Sequence, residues 1–150
     1  MTSKSKPIIV GFYGESDSGK TTLVERLIHK LTGEGFQVAA VKKTNQSVSI
    51  DSTGKDTHRY AQAGADLVVF STQIETAFLV KAKMSEKAIV ANLQHLDNFD
   101  FIFMEGANEE PIAKIRLGNI AVRENTFFTY DGNFENLLDL IKNRNPDQEK

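Results

Sequence analysis

The sequence contains no cysteine among its 150 residues. Disulfides, zinc ribbons, iron–sulfur ligation and thiol catalysis are therefore excluded. The sequence also lacks any apolar run near the roughly 18 residues that a membrane-spanning helix needs. No apolar core of a signal peptide follows the cationic start at residues 1–6. These absences favour a cytoplasmic protein with no membrane partner.

Neither sign of charge is in excess, because 18 basic residues stand against 20 acidic ones, for a net charge of −2. A dedicated nucleic-acid binder would have a basic surface, so nucleic acid is not expected as a partner. An apolar fraction of 40% and a charged fraction of 25% are ordinary for a globular protein. We expect a single domain over residues 1–150, with frayed polar ends at 1–6 and 145–150.

Short apolar segments alternate with amphipathic ones along the chain, which is typical of βαβ units. The predicted strands are 7–13, 36–41, 66–70, 77–80, 99–104, 112–117 and 119–122, and the predicted helices are 20–32, 55–63, 85–94 and 133–143. Segment 7–13 is apolar throughout and segment 99–104 is apolar apart from Asp100, as buried central strands are. Segment 112–117 alternates, which predicts a half-buried outer strand. The aromatic residues of 127–130 are either core or a seam between subunits. The alternation of strands and helices, together with the G-x-x-x-x-G-K-[ST] motif at residues 14–21, predicts an α/β fold of the three-layer P-loop NTPase type, with a mainly parallel sheet and helices on both faces.

A phosphate-binding loop follows the first strand, because residues 14–21 fit the pattern G-x-x-x-x-G-K-[ST]. The glycines allow backbone conformations in which consecutive amides turn toward the phosphates. The helix that begins here directs its positive dipole end to the same place. The residues expected to bind the nucleotide are Gly14, Glu15, Ser16, Asp17, Ser18, Gly19, Lys20, Thr21 and Thr22.

Within this loop, three side chains have distinct expected roles. Lys20 would reach the β- and γ-phosphates, the Thr21 hydroxyl would bind magnesium, and Thr22 could touch the α-phosphate. Glu15 and Asp17 bring two negative charges into the loop. Either they point outward and are solvated, or they weaken phosphate affinity or orient a water molecule.

A second magnesium ligand is expected at the carboxyl end of a neighbouring strand. Asp100 and Glu105 bracket the strand 101–104 and lie about 16 Å apart in extended chain, so only one can serve. Ligands of open α/β sheets bind beyond the carboxyl ends of the strands, which selects Glu105.

The long polar connection 42–54 leaves the same edge of the predicted sheet and is either a functional lid or disordered. Asp51, close to the end of this connection, is a candidate for a second acid beside the magnesium. Lys42 and Lys43 either meet an anionic substrate or are solvated.

Several blocks of the sequence resemble the molybdopterin-guanine dinucleotide biosynthesis protein B (MobB) family. They occur in the order and spacing of that family over about residues 7–118, and they are the loop region 10–23, Asp51-Ser52-Thr53-Gly54-Lys55-Asp56-Thr57 followed by Ala63-Gly64-Ala65, Met104-Glu105-Gly106, and Ile112-Ala113-Lys114-Ile115.

The resemblance implies a homodimeric GTP-binding protein with weak GTPase activity that uses GTP and Mg²⁺. Such a protein assists a molybdopterin guanylyltransferase, which attaches GMP to molybdopterin in molybdenum or tungsten cofactor biosynthesis. Carried over to this chain, Gly14, Gly19, Lys20, Thr21 and Thr22 would bind the nucleotide, and Asp51 and Glu105 would lie beside the magnesium. Together with the motif, this makes Thr21, Asp51 and Glu105 the expected metal residues, and Lys20 and Glu105 the expected catalytic residues.

One segment departs from the family. After the second strand the family has a lysine followed by a histidine-rich run, but here Lys42 is followed by Lys43-Thr44-Asn45-Gln46. A changed pterin or partner surface is therefore expected. Two other functions stay open, namely an ATP-dependent kinase or ligase of the dethiobiotin synthetase kind and a non-hydrolysing nucleotide-dependent adaptor. Arg59, Arg116 and Arg123 are the candidates for an arginine finger.

Overall fold

The computed structural model describes residues 5–148, which form two compact units. The first unit combines residues 5–44 with residues 85–148, and the second comprises Asn45–Met84. Residues 1–4 and 149–150, which belong to the ends expected to fray, lie outside the described residues. The single domain over residues 1–150 stays a prediction, because two compact units of one chain can still fold as one.

The helices and strands follow the predicted alternation. In chain order they are β1 (Ile8–Gly14), α1 (Lys20–Gly33), β2 (Val38–Lys42), α2 (Asp56–Gln62), β3 (Leu67–Ser71), β4 (Thr76–Val80), α3 (Glu86–Leu96), β5 (Phe101–Glu105), β6 (Lys114–Leu117), β7 (Thr126–Thr129), α4 (Phe134–Lys142) and a 3₁₀ turn (Pro146–Gln148). The strand predicted at 119–122 is wrong, because those residues lie in a loop and the next strand is β7.

The first unit is built on a five-stranded sheet with the order β2-β5-β1-β6-β7. Each neighbouring pair is parallel. The carboxyl ends of β2, β5 and β1 therefore meet at one edge of the sheet. The predicted α/β class with a mainly parallel central sheet is confirmed.

Helices cover both faces of this sheet because alternate strand residues point to opposite faces. On one face Phe12 and Phe103 pack edge to face, with ring centroids 5.5 Å apart, and α1 and α4 bury their apolar stripes against them. On the other face Ile102 and Met104 contact Val90 of α3. Each fully buried side chain of this size stabilises the fold by roughly 1.5–3 kcal/mol relative to exposure. The loop between β1 and α1 is thus anchored at both ends in elements that pack on the core.

The position predicted for β6 is wrong, because this strand is not at the outside of the sheet. It lies between β1 and β7, and Lys114 is fully buried in it. The ammonium of Lys114 donates to the carbonyl oxygens of Glu109, Ile112 (2.6 Å) and Glu124 (3.0 Å). Of the two polar residues that produced the alternation, Lys114 is therefore internal and Arg116 is half-buried. The half-buried aromatic residues of 127–130 pack on the main core, which supports the core interpretation of that patch.

The second unit consists of α2, which packs on β3, and the antiparallel hairpin of β3 and β4. Val68 is buried within it. Four apolar side chains on the opposite face of the hairpin are between 42% and 55% exposed, namely Leu67, Val69, Phe78 and Val80. Across residues 5–148, no helix combines the length and the apolarity needed to cross a bilayer. The cytoplasmic location stays a prediction.

Candidate functional site

The amino end of α1 differs from those of the other helices. Within the described residues no side chain caps it and no acidic residue lies in its first turn. In contrast, Ser85 caps α3 and Asn133 caps α4 through their side-chain oxygens, and both helices carry an acid in the first turn. Helix α2 also has no capping side chain, but Asp56 lies in its first turn. The first amides of a helix and its dipole attract negative charge. The end of α1 therefore keeps its donors available for an anion.

The loop that leads into α1 has the backbone of an anion-binding nest. Asp17 and Gly19 both have positive φ values, 62° and 86°, and alternating conformations of this kind turn successive N–H groups toward one point. Gly14 lies against its surroundings so closely that an added Cβ would approach Ser18 Oγ to 2.8 Å and Leu117 O to 2.6 Å. The loop borders a cavity of about 460 Å³ lined by Ser16, Asp17, Ser18, Gly19, Lys20, Thr21, Thr22, Lys42 and Glu105.

Lys20 folds its side chain back over the loop. Its ammonium donates to Gly14 O at 3.0 Å and Glu15 O at 2.5 Å, with Ser18 Oγ at 3.4 Å. These bonds hold a positive charge above the nest. The carboxylates of Glu15 and Asp17 belong to exposed residues, which agrees with the interpretation that they are solvated.

Glu105 ends β5 with a largely buried side chain that is 9% exposed. The Thr21 hydroxyl donates to both of its carboxylate oxygens, at 3.1 and 3.0 Å. Lys42 Nζ lies 2.6 Å from Glu105 Oε1. The sheet register explains this cluster, because Glu105 is opposite Phe12 on β1 and opposite Lys42 on β2.

Asp100 lies at the other end of β5, as expected, and its carboxylate accepts a hydrogen bond from the amide of Gln37 at 2.7 Å. Of the two acids that bracket β5, Glu105 is thus the one at the loop. Its role as a magnesium ligand stays a prediction.

Asp51 belongs to the second unit. Its Oδ1 accepts hydrogen bonds from the Thr57 hydroxyl at 2.8 Å and the Ser52 amide at 3.0 Å. The bond from Thr57 is the main cause that holds the pKa of Asp51 below its usual value. Oδ2 is buried, lies 3.6 Å from Lys81 Nζ, and accepts no hydrogen bond within residues 5–148. Asp51 therefore keeps an oxygen that could serve a cation, and its assignment to magnesium stays a prediction.

A buried charge cluster behind the site is absent from the sequence-based prediction. Glu86, fully buried at the start of α3, pairs with Lys43 at 2.7 Å. Its carboxylate also accepts the amides of Asn108 at 2.6 Å and Glu109 at 2.9 Å. The cluster thus fixes the chain that follows Glu105. The only sequence signal for it is Glu86 in the first turn behind the cap Ser85, which is also the pattern of an exposed helix start.

Two of the three candidate arginines are held by structural contacts. Arg116 donates to Thr129 Oγ1 and to Ile120 O. Arg123 donates to Ala107 O at 2.7 Å, and its guanidinium stacks 4.6 Å from the centre of the Tyr13 ring. Arg59 lies exposed on α2 of the second unit.

These residues fit a nucleotide with magnesium. The uncapped amides and Lys20 suit a phosphate chain. The Thr21 hydroxyl and the Glu105 carboxylate are the hard oxygen ligands that Mg²⁺ prefers, and phosphate oxygens and water usually complete its shell. No group of three or more His, Cys, Asp or Glu side chains in the described part of the chain could hold a metal without such help. A volume of about 460 Å³ lies in the range of small-molecule sites.

The fold and the site together define the three-layer P-loop NTPase class. The sequence pattern of the family described as "Molybdopterin guanine dinucleotide synthesis protein B" matches residues 9–142. The chain therefore belongs to the MobB family.

Individual relatives agree with this assignment. A protein from Methanocaldococcus jannaschii is 36% identical over 101 residues, which make up 67% of this chain and 41% of that protein. The "Molybdopterin-guanine dinucleotide biosynthesis adapter protein" of Escherichia coli is 30% identical over 120 residues, or 78% of this chain and 69% of that protein. The chain thus spans less than half of the archaeal relative. The crystal structure of Bacillus subtilis MobB has the same fold, with a TM-score of 0.68 at 19% identity over 89% of this chain and 95% of that one.

Proposed function

We propose that this chain binds GTP with magnesium, hydrolyses it slowly, and assists the formation of the guanine dinucleotide form of molybdopterin. The observation that carries the nucleotide part is the amino end of α1, which lacks both a capping side chain and a first-turn acid among the described residues and which follows an anion-binding nest. Membership of the MobB family supports the biosynthetic part, since relatives carry the name of an adapter protein of that pathway.

In this proposal each residue of the site has one task. The amides of residues 14–22 bind the phosphates, and Lys20 exchanges a carbonyl partner for a phosphate oxygen. Thr21 and Glu105 hold the magnesium, which neutralises charge on the phosphate oxygens.

Hydrolysis by such a site is slow, because few groups stabilise the charge that develops on the transferred phosphoryl group. Arg116 and Arg123 are occupied by carbonyl, hydroxyl and ring contacts. The stabilisation then rests on Lys20 and magnesium. We expect a turnover well below about one per second without a partner, which lies at the low end of the kcat values of enzymes.

The proposed partners are molybdopterin, a molybdopterin guanylyltransferase and a second copy of this chain. The exposed apolar face of the hairpin, formed by Leu67, Val69, Phe78 and Val80, supports the homodimer, because a contiguous apolar patch on a surface marks an interaction site. Lys43 is engaged with Glu86, so Lys42 is the one of the two lysines that lines the phosphate cavity and can meet an anion.

The test is a binding titration of the full chain with GTP, ATP and molybdopterin, each with and without Mg²⁺, together with an assay of phosphate release. We expect GTP to bind more tightly than ATP, and Lys20→Ala to abolish slow hydrolysis. Lys30→Ala, at the far end of α1, is the control. An ATP preference with phosphorylation of an acceptor would favour the kinase or ligase alternative. Binding without any hydrolysis would favour the adaptor.

A further inference from the structure

Lys42 and Glu105 form an ion pair at the point where a magnesium ion is expected. They are register partners at the carboxyl ends of β2 and β5, with Lys42 Nζ 2.6 Å from Glu105 Oε1. The two partners differ in freedom, because the lysine side chain is 65% exposed and the glutamate side chain 9%. The carboxylate is held further by the Thr21 hydroxyl, which bonds to both of its oxygens. The lysine is thus the movable member of the pair.

An ammonium group and a magnesium ion use the same oxygens of a carboxylate. Placed on one carboxylate they also repel each other, since both are positive and only a few ångströms apart. We propose that Lys42 and magnesium compete for Glu105, so that the ion releases Lys42 into the phosphate cavity, where its ammonium faces the bound anion. This inference rests on the proposed function, and it adds a regulatory role for a lysine that lies outside the phosphate-loop motif.

The backbone beneath Lys42 is fixed, so the exchange needs only a side-chain movement. The next residue, Lys43, points to the other face of the sheet, where it pairs with the buried Glu86 at 2.7 Å. The Lys43 amide donates to Glu105 O at 2.9 Å. Gly106 has a φ of +89°, and a Cβ there would lie 2.3 Å from Lys43 O. The segments that follow β2 and β5 are therefore in close contact. The end of β2 is therefore held while the Lys42 side chain is free to turn.

If Lys42 and magnesium compete for Glu105, removing the Lys42 ammonium should have two opposite effects, one on magnesium binding and one on nucleotide binding. In Lys42→Met, Glu105 has no competing cation, so a lower concentration of magnesium should saturate the site. Without magnesium, the same variant has lost a positive charge beside the phosphates and leaves Glu105 uncompensated, so the nucleotide should bind more weakly. We expect each effect to be about three- to tenfold, because the exposure of the lysine reduces the value of the pair.

The experiment measures GDP binding by calorimetry across a magnesium series, so that hydrolysis plays no part. Wild type, Lys42→Met and Lys30→Met are compared. The Lys30 variant removes the same charge about 15 Å along α1 from Lys20, away from the phosphate loop. We expect Lys42→Met to lower the magnesium concentration of half-maximal enhancement and to weaken metal-free binding, with Lys30→Met unchanged. In a Glu105→Gln background, Lys42→Met should no longer shift the magnesium response.

Two results would overturn the inference. If wild type binds GDP and responds to magnesium, but Lys42→Met leaves the half-maximal magnesium concentration unchanged or raises it, the competition is refuted and the proposed function stands. If wild type binds no guanine nucleotide at millimolar concentration under any condition, both are refuted.

Discussion

The Thr21 hydroxyl donates a bifurcated hydrogen bond to the two carboxylate oxygens of Glu105, at 3.0 and 3.1 Å, across 84 positions of sequence. The contact exists because α1 begins close behind β1, and β5 pairs with β1 in the register that sets Glu105 opposite Phe12. The hydroxyl and the carboxylate thus share one place at the carboxyl edge of the sheet. This relationship makes Thr21 the most direct point at which to perturb the proposed metal site.

Removing the Thr21 hydroxyl should weaken the magnesium-dependent part of nucleotide binding. We expect Thr21→Ala to lower GDP affinity in the presence of Mg²⁺ by about tenfold or more, because the hydroxyl oxygen is a proposed magnesium ligand and losing a group that supports a metal site typically costs about 10- to 100-fold in metal affinity. Thr21→Ser retains the hydroxyl and should remain near wild type. Calorimetric titration measures the difference, and equal losses in the two variants would refute the role of the hydroxyl.

Glu86 should stabilise the fold in a pH-dependent way. Desolvation by burial, the largest single effect, raises the pKa of Glu86, but the hydrogen bonds from Lys43 and from the amides of Asn108 and Glu109 together lower it below its ordinary value. A lowered pKa in the folded state means that the stabilisation is present above the unfolded value of 4.5 and is lost as the pH falls through the folded value.

We therefore expect Glu86→Gln to lower the free energy of unfolding by about 3 kcal/mol at pH 7, because it breaks a buried pair. The difference from wild type should shrink as the pH falls below 4.5. Urea unfolding at a series of pH values measures it. Glu135→Gln, an exposed first-turn glutamate of α4, is the control and should change little. If the difference in free energy of unfolding between wild type and Glu86→Gln stays constant down to pH 3, the lowered pKa of Glu86 is contradicted.

Lys114 should be a structural residue, because its buried ammonium satisfies three carbonyl oxygens. Lys114→Met keeps the apolar stem but leaves those acceptors without their donor. We expect a loss of about 3 kcal/mol or more in the free energy of unfolding, measured by urea denaturation. Lys87→Met, on the exposed side of α3, should stay within about 0.5 kcal/mol of wild type. Equal stability of the two variants would show that the carbonyl groups find other partners.

The apolar face of the hairpin should be the homodimer interface. A charge at its centre, as in Val69→Lys opposite Phe78, would have to be buried without a partner, which is costly. We expect this variant to sediment as a monomer at concentrations where wild type is a dimer. Gln73→Lys, in the turn of the same hairpin, is the control. A wild type that is monomeric at every concentration would contradict the proposal.

Local patterns were sufficient for much of the fold and for the loop. The phosphate-loop motif depends on neighbouring residues only, so its position between β1 and α1 could be read directly from the sequence. Glu105 was distinguished from Asp100 by the rule that ligands bind at the carboxyl ends of strands, and the structure has Glu105 beside Thr21 and Asp100 at the far end.

Non-local pairing explains what the sequence did not reveal. Four-residue strands such as β7 carry too little pattern to be separated from the nearby segment 119–122. Lys114 and Glu86 were hidden because lysine and glutamate are almost never fully buried, so their sequence neighbourhoods predict exposed positions. The partners of Glu86 come from distant parts of the chain, namely the ammonium of Lys43 and the amides that follow Glu105. The carbonyl oxygens that bind Lys114 lie within 10 positions of it, but only the folding of the loops on either side of β6 brings them together.

Under the proposed function, the uncapped first turn of α1 is stabilised only when the nucleotide is bound. With Gly19 as its N-cap and no capping side chain, α1 forgoes roughly a few tenths of a kcal/mol that serine or asparagine would supply. In the proposed complex, the oligophosphate would accept hydrogen bonds from those N–H groups, as the Ser85 side chain does at the start of α3. Amide exchange in residues 19–22 should then slow on binding more than it does at the starts of α3 and α4, whose acceptors are part of the chain.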